Sequence, residues 1–168
     1  AAGLPLHVVP LPWPCSNEQY EAIMKDAVAG FVRDGYTHAA FGDLFLEDVR
    51  QYRETRLAGS GLEPLFPIWK TKPTADLARD MVNAGLRARI TCLNPKRLDA
   101  SFAARVFVQS FIDDLPATVD PCGENGEFHS FAFEGPMFNH PIAIDPGEVV
   151  ERDGYVFADL TLRQPALT

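Results

Sequence analysis

YTHAAFGDLFLEDVRQYRETRLAGSGLEPLFPIW, residues 36–69, is the stretch on which the fold class turns. Thr37 to Phe41 is a short apolar run of buried-strand type that leads straight into Gly42-Asp43. A helix follows from about Leu46 to Leu57, and Glu47, Asp48, Arg50, Arg53, Glu54 and Arg56 load one of its faces with charge. Leu65 to Trp69 is the next strand candidate. Strand, helix and strand in succession are the unit of a parallel α/β sheet.

The alternation extends in both directions. Upstream, Leu6 to Leu11 predicts a buried strand stopped by Pro12-Trp13-Pro14. Ser16 is a helix N-cap with Gln19 placed for a capping box, and Tyr20, Ile23, Met24, Ala27, Val28 and Phe31 form one helical stripe ending at Gly35. Downstream, a helix over Thr74 to Ala84 and a strand over Ala88 to Leu93 complete another alternation. Past residue 94 the character changes. Asn94 to Ala103 is irregular and Arg105 to Leu115 predicts a helix. After a Pro/Gly-rich stretch come short strands at Ser130 to Glu134 and Ile142 to Ile144, then a hairpin of Val149–Val150 and Tyr155–Leu162 around Asp153-Gly154. The tail after Leu162 is expected to fray.

Composition bounds the function. With 46% hydrophobic and 23% charged residues, 168 residues make one ordinary domain, or one domain and part of another. No apolar run reaches the roughly 18–20 residues of a membrane span. A net charge of −8 repels a phosphate backbone, so general nucleic-acid binding is not expected. Cys15, Cys92 and Cys122 are odd in number and widely spaced, which points to reduced thiols in a cytoplasmic protein. The chain opens on Ala1-Ala2-Gly3-Leu4-Pro5, in mid-element, as a fragment would.

Two places carry chemistry. Gly42-Asp43 lies at the carboxyl end of a strand, where open α/β sheets bind ligands; the Gly permits close approach and the Asp suits a ribose hydroxyl, magnesium or an amine. The plain alternative is a turn glycine and a helix-capping Asp. Cys122-Gly123-Glu124-Asn125-Gly126-Glu127-Phe128-His129 is the densest polar cluster, two carboxylates and an imidazole on a tight loop. If Phe128 begins a strand, Glu127 and His129 share a face. Such a set suits an amine or a proton transfer; a solvated surface turn is the alternative. A metal centre from Cys122, Glu124, His129 and Cys92 lacks the paired short spacing of zinc sites, so no metal ligands are assigned. His7, His38 and His140 read as structural and Trp13 and Trp69 as core lids; the helix face of Arg50, Arg53 and Arg56 reads as a solvated face from which one arginine could meet a phosphate.

Five stretches together resemble one family: Val9 to Asn17 (VPLPWPCSN), Phe41 to Arg50 (FGDLFLEDVR), Gly61 to Trp69 (GLEPLFPIW), Cys122 to His129 (CGENGEFH) and Gly135 to Phe138 (GPMF). Their order and spacing are similar to the diphthine–ammonia ligases, PP-loop ATP pyrophosphatases, and above all to the bacterial branch. The resemblance implies an α/β protein in two parts. Residues 1–71 would be the remainder of an adenine-nucleotide-binding HUP-type (Rossmann-like) parallel sheet, N-terminally incomplete, and residues 72–168 a smaller α+β domain on the substrate side. It implies ATP with Mg2+, adenylation of a small-molecule or protein-borne carboxylate, and displacement of AMP by ammonia. Gly42 and Asp43 would lie beside the nucleotide; Glu124, Glu127 and His129 would act on the acceptor side, with Asn125 and Gly126 binding substrate, in one cleft shared with Asp43. A homo-oligomer is compatible with the sequence, which does not fix the oligomeric state.

One departure stands out. The family's S-G-G-K-D-S loop occurs nowhere in these 168 residues. Its backbone N–H groups and Lys cradle the phosphates, so this chain by itself is expected not to turn over ATP. The alternative from another class is a non-catalytic nucleotide- or metabolite-binding module.

Overall fold

The computed structural model describes residues 1–163; the expected fraying past Leu162 falls, apart from Arg163, outside the described residues. Contacts divide the chain into two compact units, Leu4–Thr71, and Lys72 onward together with Ala1–Gly3.

In the first unit the capping box forms as its residue types predict. The Ser16 hydroxyl accepts from the Gln19 N–H and the Gln19 side chain accepts from the Ser16 N–H, starting α1 (Asn17–Arg33). Then come β1 (His38–Ala40), α2 (Glu47–Leu57) and β2 (Glu63–Leu65). Glu47 and Asp48 in the first turn of α2 and Arg56 in the last oppose the helix dipole. β1 and β2 run parallel, His38 opposite Glu63 and Ala40 opposite Leu65. Leu44, Leu57 and Leu62 are the buried apolar residues here, while α1 buries none of its residues fully.

Three expectations fail in this unit. Leu6 to Leu11 forms no strand: it is extended chain without a ladder, and Leu6 is 86% exposed. Pro10 removes a donor such a ladder would need. The strand expected over Leu65 to Trp69 lies earlier, at Glu63–Leu65, because the chain turns after Phe66, whose carbonyl accepts from the Trp69 N–H. Trp13 is no core lid, being 96% exposed.

The second unit contains α3 (Thr74–Asn83), β3 (Arg87–Leu93), a 3-10 turn (Ala100–Phe102), β4 (Val106–Phe107), α4 (Gln109–Asp114), β5 (Phe128–Glu134), β6 (Ile144–Arg152) and β7 (Tyr155–Leu162). Its sheet is antiparallel: β3 pairs with β4, β5 and β7, and β6 pairs with β7. β3 therefore does not extend a parallel sheet. Its burial alternates, Ala88, Ile90 and Leu93 facing inward, as in a strand covered on one side. The helix expected from Arg105 to Leu115 is shortened at its start, because Val106 and Phe107 are drawn into pairing with Arg89 and Ala88. The strands expected separately at Ile142 to Ile144 and Val149–Val150 are one, β6, which begins only at Ile144. The Asp153-Gly154 hairpin forms as expected, Arg152 opposite Tyr155.

The inward face of β3 meets Ala78 and Val82 of α3 and Phe111 and Ile112 of α4 in one core. Phe111 is the hub, with ring centroids 5.5–5.6 Å from Phe102, Phe107 and Phe128. The architecture is mixed α/β, a small parallel pair in one unit and a five-stranded antiparallel sheet in the other. Among the described residues no helix is long and apolar enough to cross a membrane.

Candidate functional site

Gly42-Asp43 follows the carboxyl end of β1, as the spacing predicts. The Asp43 carboxylate takes two hydrogen bonds from one guanidinium, Arg53 Nε at 2.6 Å and Nη2 at 3.2 Å. The same Arg53 stacks over the Phe41 ring at 4.5 Å. This bidentate, aromatic-backed pair fixes the strand-to-helix turn to α2. The arginines expected to offer a phosphate contact are all engaged: Arg50 pairs with Glu54 and lies over Phe66 and Trp69, and Arg56 pairs with Glu21. The Asp43 side chain keeps 13% of its surface exposed, so one edge of the carboxylate still faces outward.

In the second unit the cluster 122–129 is built around a buried acid. Glu127 is 1% exposed, and its Oε1 accepts from the Asp120 N–H (3.1 Å) and the Asn125 side-chain amide (3.2 Å). Its Oε2 is buried with no hydrogen-bond partner among the described residues. The Asp120 carboxylate, also buried, accepts from the Glu124 N–H at 2.8 Å. The Glu127 carbonyl accepts from the Asn94 N–H, tying the loop to the end of β3. Two glycines make the turn. Gly123 sits at φ +71°, and a Cβ there would meet the Phe128 carbonyl at 2.8 Å; Gly126 sits at φ +77° in open space.

Phe128 does begin a strand, yet Glu127 and His129 part company. Glu127 precedes the ladder and turns inward, whereas His129 is exposed, opposite Cys92. The alternation rule holds only within the strand, and Glu127 stands outside it. Glu124, Asn125, Gly126 and Glu127 are thus brought into one loop, with His129 at its exit. Asp120 is the member that sequence reasoning missed. Its signal was an acid ahead of Pro121 and Gly123, where a side chain commonly folds back onto the next turn's N–H groups.

The cysteines are unsuited to nucleophilic work. Cys122 donates to the Thr74 carbonyl at 3.4 Å, and burial, reinforced by Asp120 and Glu124, pushes its thiol up to about 12. Burial raises Cys92 as well. Among the described residues no three His, Cys, Asp or Glu side chains gather as a metal-binding group.

Comparison with known proteins places this architecture. Residues 73–159, just over half of the chain, match the diphthamide synthase C-terminal domain family. The chain is similar to the diphthine–ammonia ligase of Homo sapiens, 28% identical over 102 residues, which cover 58% of this chain and 38% of that protein. It is similar also to the diphthine–ammonia ligase of Danio rerio, 31% identical over 122 residues, covering 67% of this chain and 46% of the relative. The chain thus spans less than half the length of these curated relatives. By the match that contains the Asp120–His129 loop, the chain belongs to the diphthamide synthase family.

Proposed function

We propose that this chain is part of an ATP-dependent ligase that activates a carboxylate by adenylation and hands it to ammonia. The observation that carries the reading is the loop organised on buried Glu127, lying inside the family match; relatives that carry the ligase name support it. In this reading residues 4–71 are part of a HUP-type nucleotide sheet, and β1, α2 and β2 are its strand–helix–strand unit. Asp43 keeps two lone pairs beyond those used by Arg53, which fits a ribose hydroxyl or a magnesium-bound water at its exposed edge. Gly42 leaves the neighbouring backbone open to approach, since a Cβ there would meet nothing within 4 Å. Magnesium, when bound, supplies charge neutralisation for the phosphates.

The chemistry runs in two balanced steps. A carboxylate oxygen attacks the α-phosphorus and the bond to pyrophosphate breaks. Ammonia then attacks the acyl carbon, AMP leaves, and the nitrogen gives up a proton. Glu124 and Asn125 hold the incoming ammonium, whose first proton passes to the Glu124 carboxylate to free ammonia; His129, exposed at the loop exit, takes the proton lost after the attack. Glu127 acts as a positioning residue, since it is enclosed and its Oε1 holds both the Asp120 and Asn125 donors. The reduced state of Cys15, Cys92 and Cys122 supports a cytoplasmic setting.

The test is pyrophosphate release with ATP, magnesium, ammonium and a panel of carboxylic acids. It is run on the protein expressed from the complete coding sequence and on these 168 residues in parallel. The complete protein is expected to release pyrophosphate only with a suitable acid, and His129→Ala to slow amide formation roughly 10²-fold or more. The 168 residues, without an S-G-G-K-D-S loop, are expected to release none. ATP binding with no acid-dependent release from the complete protein would instead establish a binding module.

A further inference from the structure

The sheet of residues 72–163 covers its core with one face, and its other face carries a groove of about 810 Å³. The size suits a small molecule. One cross-strand row runs through it over three strands, His129 opposite Cys92 and Cys92 opposite Phe157. Phe131 on β5 and Tyr155 on β7 add aromatic walls and are 40% and 43% exposed. Burial of apolar surface is thus available to a ligand.

Charge is arranged unequally, with Arg152 at the edge of the groove, outside its lining, and Asp159 within it. Arg152 opposes Tyr155 in the hairpin, so its side chain leaves the sheet on the same face as Tyr155 and Phe157. Its guanidinium lies over the Phe157 ring at 4.7 Å. Stacking holds the plane and leaves the N–H edge available. Among the described residues no carboxylate pairs with Arg152. Asp159, two residues beyond Phe157, lines the groove with a negative charge on the same face. A carboxylate set on Arg152 finds a bidentate partner. A second negative charge reaching toward Asp159 is repelled, which disfavours dianions and polyphosphates.

We infer that this groove binds a small monocarboxylate with an aryl or branched-alkyl body, its carboxylate on Arg152 and its apolar body against Phe157, Tyr155 and Phe131. His129 stands at the groove and directly follows the Glu124–Glu127 loop, so the same carboxylate is the acceptor of the ligase reading. That last identification rests on the proposed function; the binding site itself does not.

The experiment is a titration of the 168-residue protein, without ATP, by phenylacetate, phenylacetamide and benzylphosphonate, read by amide chemical shifts. Phenylacetate is expected to move the amides of Cys92, His129 and Phe157. The neutral amide and the phosphonate dianion should each bind at least tenfold more weakly. Arg152→Gln lies on the exposed hairpin and should leave the spectrum folded while weakening phenylacetate at least tenfold; Arg152→Lys should restore only part of the loss. Shifts confined to other regions, equal binding of phenylacetamide, or an unaffected Arg152→Gln variant overturn the inference. So does a dimer whose formation protects the groove amides and excludes phenylacetate. Binding here without acid-dependent pyrophosphate release from the complete protein sinks the ligase reading and leaves the groove standing; release unaffected by Arg152→Gln keeps the ligase reading and overturns the identification of the groove's carboxylate as its acceptor.

Discussion

Residues 4–71 and residues 72–163 each place half or more of their chain in helices and strands, to different effect. The first set arranges two helices and a parallel strand pair and closes little of its apolar surface: Leu44, Leu57 and Leu62 are buried, while Leu4, Leu6, Val8 and Trp13 stay open to solvent. The second set folds five strands and two helices over a contiguous core in which Phe111, Ile90 and Leu93 are almost wholly enclosed. A parallel strand is designed to be covered on both faces, so a pair of them leaves unmet demand for burial. An antiparallel sheet needs only one covered face, and its other face remains available for a ligand. The contrast teaches that apolar exposure means different things in the two regions: unfilled packing in one, a shaped groove in the other.

The largest test of the contrast is to remove its hub. Phe111→Ala should cost about 3–5 kcal/mol, because the ring meets three other phenylalanines with no room for collapse. Hydrogen exchange over β3 and β5 would record it as lost protection. Leu57→Ala, in the sparser region, should cost roughly 2 kcal/mol, the lower end for such a truncation. Equal losses from the two would erase the distinction between the regions.

A smaller effect is expected at the loop. Glu127→Ala strips the acceptor from the Asp120 N–H and the Asn125 amide and should cost about 1–3 kcal/mol. Glu127→Gln keeps one oxygen and the shape, and should cost less. Urea midpoints for the two variants check the order, and equal losses would mean that the charge, not the acceptor, holds the loop.

The smallest effect appears at alkaline pH. Folding raises the Cys122 thiol from its ordinary 9.0 to about 12, so the unfolded chain loses this proton first. The stability linked to it is whole below about pH 9 and declines as pH rises toward 12. A hydroxyl does not titrate there and can still donate to Thr74. Cys122→Ser should therefore flatten the fall of the urea midpoint between pH 8 and 11, and an unchanged slope would show that the thiol is not enclosed in solution.

Much of this was legible in the residues. The capping box at Ser16 and Gln19, the helix over Glu47–Leu57 and the Asp-Gly hairpin are local devices, each written in a few neighbouring side chains. What escaped was pairing. Arg87-Ala88-Arg89-Ile90 alternates charge and hydrocarbon, the mark of a strand covered on one side, yet its place after a helix invited the parallel reading. Val106-Phe107 hides at the head of a helical run because its partner, Ala88-Arg89, is distant in sequence. Hydrophobicity in Leu6 to Leu11 expresses a demand for burial but names no neighbour. At the site, the loop and its residue types were visible from Cys122 to His129. That Glu127 points inward and Asp120 completes the turn depends on tertiary packing, which two acids and two glycines in a row do not disclose.

The two loop glycines also differ in what they allow an engineer or a diverging lineage to change. At position 126 the left-handed backbone is the sole restriction, so Asn or Asp is a tolerable replacement. At position 123 the backbone and the Phe128 carbonyl forbid any side chain together. A library that randomises this loop should therefore keep position 123 constant and spend its diversity on residues 124 to 126, where chemistry can vary without unseating the strand that carries His129.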